Sequence, residues 1–99
     1  GIAFGQKAGL DMKRVLEVLG KGAAQSWQMD NRGSTMIDDQ FDFGFAVQWM
    51  RKDLGLVLGE ARRNGASMPT TALIDQFLGE LIAAGGARDD FSSLVRLLR

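Results

Sequence analysis

The sequence predicts an all-α fold. Apolar residues recur at helical spacing along most of the 99 residues, and no segment reads as a strand with two-residue alternation. The single proline also falls where a helix begins.

The elements follow in order. Gly1-Ile2-Ala3-Phe4 is already in an apolar pattern with no capping residue before it, and is expected to be the last turns of a helix that Gly9 ends. In "DMKRVLEVLGKG", Asp11 is the N-cap of a second helix that places Val15, Leu16 and Leu19 on one face, and Gly20 and Gly22 stop it. Position 14 is arginine, so no capping box forms. Residues 23–44 are the least regular stretch. Ser26-Trp27 suits the opening of a short helix, whereas Gly33-Ser34 and Asp38-Asp39 read as breaks.

A long helix is expected from about Ala46 to Arg63, closed by Asn64-Gly65. Ser67-Met68-Pro69 starts another, in which Leu73, Ile74, Phe77, Leu78, Leu81 and Ile82 make a wide apolar stripe that ends at Gly85-Gly86. Asp89 or Asp90 then caps a last helix carrying Phe91, Leu94, Val95 and Leu98. There is no internal repeat, and a chain of this size forms one domain with a modest core.

Composition narrows the chemistry. Twelve basic residues balance twelve acidic ones, which gives no electrostatic reason to expect nucleic acid. Weak helix-turn-helix character at residues 11–25 does not change that expectation. Without cysteine or histidine the chain lacks thiolate chemistry, the commonest metal ligand and the usual neutral-pH base. Asp38, Asp39 and Asp42 lack the spacing and closing glutamate of a calcium loop, so no metal site is expected. No apolar run approaches the roughly 20 residues that span a bilayer, and a cytoplasmic location is the default expectation.

The residues that point to a site lie in "FGFAVQWMRKDLGLVLGEARRNG", residues 43–65. Val47, Met50, Leu54, Val57, Leu58 and Ala61 fall in one sector of the long helix, the core stripe. Phe45, Trp49 and Leu56 lie roughly opposite with Lys52 among them and Gly55 and Gly59 beside them, where a surface helix normally shows water a polar face. Each interior glycine costs a helix roughly 1 kcal/mol relative to alanine, so a close approach by another helix or a ligand is implied. A lysine among aromatic residues offers an apolar stem and a point charge for a carboxylate or phosphate. By residue type alone, Lys52 and Asp53 equally suit a solvated charge pair, and Trp49 a packing contact with a neighbouring helix or chain. Trp27 suits either a cleft or a core plug, and Phe41 and Phe43 suit core packing.

From "GFAVQWMRKDLGLVLGEARRNGASMPTTALIDQFLGELIAAGGARDDFSSLVRLLR" the chain resembles the C-terminal domain of the 3-hydroxyisobutyrate dehydrogenase family, the NAD(P)-dependent β-hydroxyacid dehydrogenases that include tartronate semialdehyde and glyoxylate reductases. The resemblance rests on the phenylalanine after a glycine, K-D-L-G-L seven residues on, a small-residue turn, M-P-T-T-A-L, and an acidic residue before F-S-S-L. "AFGQKAGLDMKRVLEVLGKGAAQSW" resembles the preceding segment, so nearly the whole chain is covered.

The resemblance implies a helical bundle of the 6-phosphogluconate dehydrogenase C-terminal-domain-like type. Residues 1–99 would be a substrate and dimerisation domain, truncated at the helix that joins it to a Rossmann domain. It implies NAD or NADP as cofactor, a small hydroxyacid as substrate, homo-oligomer formation, and no nucleic-acid or membrane partner. Lys52 matches the lysine implied to reach the cofactor. Asp53, Phe45 and, less closely, Ser26 and Trp27 match positions that order or border the substrate pocket. The family's catalytic lysine lies upstream, and Lys7, Lys13 and Lys21 do not match its motif, so this chain holds no catalytic residue and is expected to be inactive alone. A stand-alone helical interaction module using the Trp49 face is the competing reading.

Overall fold

The computed structural model describes residues 1–99, and its regular elements are all helices. Five α-helices, α1 (Ile2–Lys7), α2 (Met12–Leu19), α3 (Trp27–Ile37), α4 (Val47–Asn64) and α5 (Pro69–Ala83), precede a C-terminal 3-10 helix (Phe91–Leu98). There are no strands, only one isolated bridge between Ala46 and Asp90.

The caps explain the boundaries. Asp11 accepts Arg14 N–H at 3.3 Å at the start of α2, and Ser26 Oγ accepts Met29 N–H at 3.0 Å at the start of α3, each satisfying one otherwise orphaned donor. Gly65 closes α4 at φ 82°, the left-handed conformation glycine adopts without strain.

One expected boundary is corrected, and another is resolved between its two candidates. Gly33-Ser34 does not interrupt α3: Gly33 is buried within the helix, where an added Cβ would lie 2.5 Å from Leu16 Cδ1. The glycine is there for the close approach of α2, not for a turn. The last helix is 3-10 in geometry, and its cap is Asp90, which accepts Ser92 N–H at 3.1 Å.

The core has two centres. Ala3, Phe41 and Val95 form one with Ile2 and Met36 packed against them. Val47, Leu78 and Leu81 form the other, with Leu54, Ile74, Phe91 and Leu94 around them. The 3-10 helix is the wedge between the two, giving Val95 to the first and Phe91 and Leu94 to the second. Between α4 and α5, Arg51 Nε lies 3.2 Å from Asp75 Oδ1.

Much apolar surface stays uncovered. Only 13 of 99 residues are buried, and the Cα radius of gyration of 14.9 Å exceeds the roughly 13 Å expected of a compact 100-residue domain. Val57 and Leu73, assigned to core stripes by periodicity, are exposed. Periodicity identifies a face, but a neighbour must exist to cover it. Phe4, Leu10 and Leu19 border a groove of about 410 Å³ among α1, α2 and α3.

Candidate functional site

The segment before α4 is fixed by a second segment, residues 87–91. Ala46 has no side chain with which to cap α4. The first two N–H groups of the helix instead donate to backbone carbonyls, Val47 to Asp89 at 2.9 Å and Gln48 to Ala87 at 3.0 Å. Asp90 N–H donates to Phe41 O at 2.8 Å and Phe91 N–H to Phe45 O at 2.9 Å. The chain on either side of Phe43 is therefore pinned to the start of the 3-10 helix.

Asp90 is the hub of this junction. It has no exposed surface. Its Oδ1 accepts Phe45 N–H at 2.9 Å, and its Oδ2 accepts the Ser92 hydroxyl at 2.5 Å as well as Ser92 N–H. Arg32 Nε lies 3.2 Å from Oδ2, without the alignment of a hydrogen bond, so the pair is held by charge. Burial pushes the Asp90 carboxyl up, but the Ser92 hydroxyl, the Phe45 and Ser92 N–H groups and the Arg32 charge outweigh it and hold the group below the usual carboxylate range. Gly44, at φ 78°, leaves room for this cluster: a Cβ there would overlap Asp90 Oδ1 and come 2.9 Å from an Arg32 Nη.

The aromatic residues are arranged around that hub. The Arg32 guanidinium lies over the Trp27 ring at 4.9 Å and over the Phe43 ring at 5.0 Å, contacting both aromatic rings. Phe45 meets Phe91 edge-on, ring centroids 6.4 Å apart. Trp27, the first residue of α3, is 59% exposed, and Phe43 and Phe45 are each 40% exposed. Neither Trp27 nor Phe43 is a core plug; only Phe41 of the alternating phenylalanines is buried. Phe45 also precedes α4 rather than riding on it, so its direction is set by the Asp90 contact and not by helical phase.

Lys52 and Asp53 lie within the second turn of α4. Lys52 Nζ is 3.1 Å from Asp53 Oδ1 and 5.9 Å from the centre of the exposed Trp49 ring. Both charged side chains are about half exposed. No hydrogen bond, ion pair or ring contact joins this group directly to Trp27. A shallow groove of about 350 Å³ is lined by Phe43, Phe45, Trp49 and Arg88 among others. Ser26, expected at the pocket, has its hydroxyl occupied by the α3 cap. Nothing in the chain comes within 4 Å of a Cβ added at Gly55 or Gly59, so their close-approach surface is open.

Sequence reading missed Arg32 altogether and gave Asp90 a capping role and a place among the motifs of the resemblance, but no partner. The distance in sequence between them, and the absence of any periodic signal joining them, hid the pair. The one available sign was Gly44 ahead of Phe45.

A family model described as NAD-binding of NADP-dependent 3-hydroxyisobutyrate dehydrogenase matches residues 1–98. An oxidoreductase of Shewanella frigidimarina, itself described as uncharacterized, is 58% identical over 98 residues, which are 99% of this chain and 34% of the relative. The 2-hydroxy-3-oxopropionate reductase of Escherichia coli is 35% identical over 97 residues, 98% of this chain and 33% of that protein. The crystal structure of 3-hydroxyisobutyrate dehydrogenase from Salmonella typhimurium matches with a TM-score of 0.87 at 25% identity, covering 97% of this chain and 34% of that one. The chain thus spans about a third of the length of these relatives.

Proposed function

Since this chain belongs to the family of NAD-binding domains of NADP-dependent 3-hydroxyisobutyrate dehydrogenase, we propose that it forms the helical wall of an NAD(P)-dependent oxidoreductase site for a small β-hydroxyacid. The observation that carries the reading is the exposed aromatic surface of Trp27, Phe43, Phe45 and Trp49, set next to a lysine whose only ionic partner is the residue beside it.

The residues fit part of a dinucleotide site and not all of it. The chain has no G-x-G-x-x-G loop to cradle a pyrophosphate, but Lys52 offers a half-exposed ammonium about 8 Å along α4 from its first turn. In this reading Lys52 holds the cofactor by charge, and Asp53 keeps the ammonium in place. Phe45 and Trp27 border the substrate, with Ser26 setting where Trp27 begins. The nicotinamide supplies the hydride chemistry when bound. The aromatic side chains exclude water from the site, which strengthens each charge contact inside it. In this reading the general acid or base at the hydroxyl is the lysine that the family resemblance implies upstream of these residues.

The part of this α4 face beyond Lys52 suits self-association. Leu56 is 67% exposed beside the open glycines Gly55 and Gly59, and small residues four apart allow another helix to approach closely. We assign this surface to a contact between copies of the protein.

The test is turnover by the full-length protein. Reduced-cofactor absorbance is followed with 3-hydroxyisobutyrate, glycerate, serine and related β-hydroxyacids, using NAD and NADP in turn. Turnover of one of them is expected, and silence across the panel by a folded protein that binds dinucleotide would overturn the substrate assignment.

A further inference from the structure

We propose that Arg32 is a positioning residue for the substrate pocket. It acts through the rings of Trp27 and Phe43 and is itself oriented by the buried carboxylate of Asp90. The inference rests on the dehydrogenase reading above, and it concerns a residue outside the motifs that carry the family resemblance.

Three observations support it. First, Arg32 joins three parts of the wall: two aromatic rings within about 5 Å and one buried carboxylate at 3.2 Å. Second, its carboxylate partner holds the backbone of Phe45 at 2.9 Å, so the guanidinium and Phe45 share one fixed point. Third, Gly44 leaves no room for a side chain between Asp90 and Arg32. The cluster therefore has little room to repack, and its planar cation sets where the two rings can lie.

Fold stability alone does not require this arrangement. A salt bridge needs only a charge at the position, which lysine also supplies. Lying within about 5 Å of two rings at once suits the broad guanidinium better than a compact ammonium. Trp27 remains 59% and Phe43 40% exposed even though the arginine holds them, so part of each ring is available to a ligand.

The experiment is a double-mutant cycle in the full-length protein, with Arg32→Lys, Trp27→Leu and the two combined. Arg32→Lys is expected to raise the hydroxyacid KM several-fold, with kcat and the cofactor KM little changed. In the Trp27→Leu background the same substitution is expected to have a smaller effect, because one of the two rings through which Arg32 acts is gone. A purely structural role would instead lower the active fraction, reducing kcat at unchanged KM, and that result would overturn the proposal. So would equal effects of Arg32→Lys in both backgrounds. If the unsubstituted protein turns over no hydroxyacid, the dehydrogenase reading fails first. The cycle is then read in near-ultraviolet circular dichroism: a Trp27 band altered by Arg32→Lys supports the positioning role, and an unaltered band rejects it.

Discussion

The carboxylate of Asp90 accepts the backbone N–H of Phe45 at 2.9 Å, joining two positions 45 residues apart in sequence. This contact and the Arg32 charge at 3.2 Å turn a helix cap into the anchor of the aromatic wall. Four other groups depend on Asp90 staying ionised and in place: Phe45 N–H, Ser92 N–H, the Ser92 hydroxyl and the Arg32 guanidinium.

Asp90→Asn is expected to destabilise the fold by about 3 kcal/mol, because removing one member of a buried pair leaves the other charge uncompensated. The amide also cannot accept all the hydrogen bonds now made by two carboxylate oxygens. Urea unfolding monitored by circular dichroism checks this. A loss below about 1 kcal/mol would mean that Arg32 finds water in place of the carboxylate.

The same group sets an acid limb. Its folded pKa lies below its ordinary value, so its contribution is fully present above the unfolded carboxylate pKa of about 4 and is lost as pH falls from there through the depressed folded value. The urea midpoint should fall as pH drops below about 5, and Asp90→Asn should flatten that fall. An unchanged acid limb in the variant would assign it to other carboxylates.

Glycine substitutions should separate by environment. Gly44→Ala is expected to cost about 2–4 kcal/mol, from a positive φ of 78° and from overlap with Asp90 and Arg32. Gly55→Ala meets nothing within 4 Å, so in the isolated chain it is expected to stabilise by about 1 kcal/mol. In the full-length protein the same change should weaken self-association if another helix packs there. Thermal unfolding and sedimentation measure the two effects separately.

Lys52→Ala is expected to raise the cofactor KM of the full-length enzyme while leaving thermal unfolding unchanged, since the pair with Asp53 is half exposed and contributes little to stability. Unaltered kinetics at every cofactor concentration would remove Lys52 from the site.

Produced alone, the 99 residues are expected to self-associate. Phe4 is 79% and Val18 71% exposed, and an apolar groove lies open among the first three helices. A monodisperse monomer at high concentration in sedimentation velocity would show that these faces tolerate water.

By itself the sequence determined the helical class, the caps at Asp11 and Ser26, the stop at Gly65 and the placement of Lys52 and Asp53 on the long helix. These are local properties, fixed by side chains bonding to backbone within a few residues and by the 3.6-residue period. Only the tertiary structure decided that Gly33 continues a helix, because the reason is Leu16 on another element. Likewise, only packing left Trp27 and Phe43 exposed around Arg32. The aim of Phe45 too was decided away from α4, by a buried carboxylate whose partners converge from α3, the segment before α4 and the 3-10 helix. Long-range pairing of single polar residues leaves no period to read, so the anchor of the wall emerged only when the chain had folded.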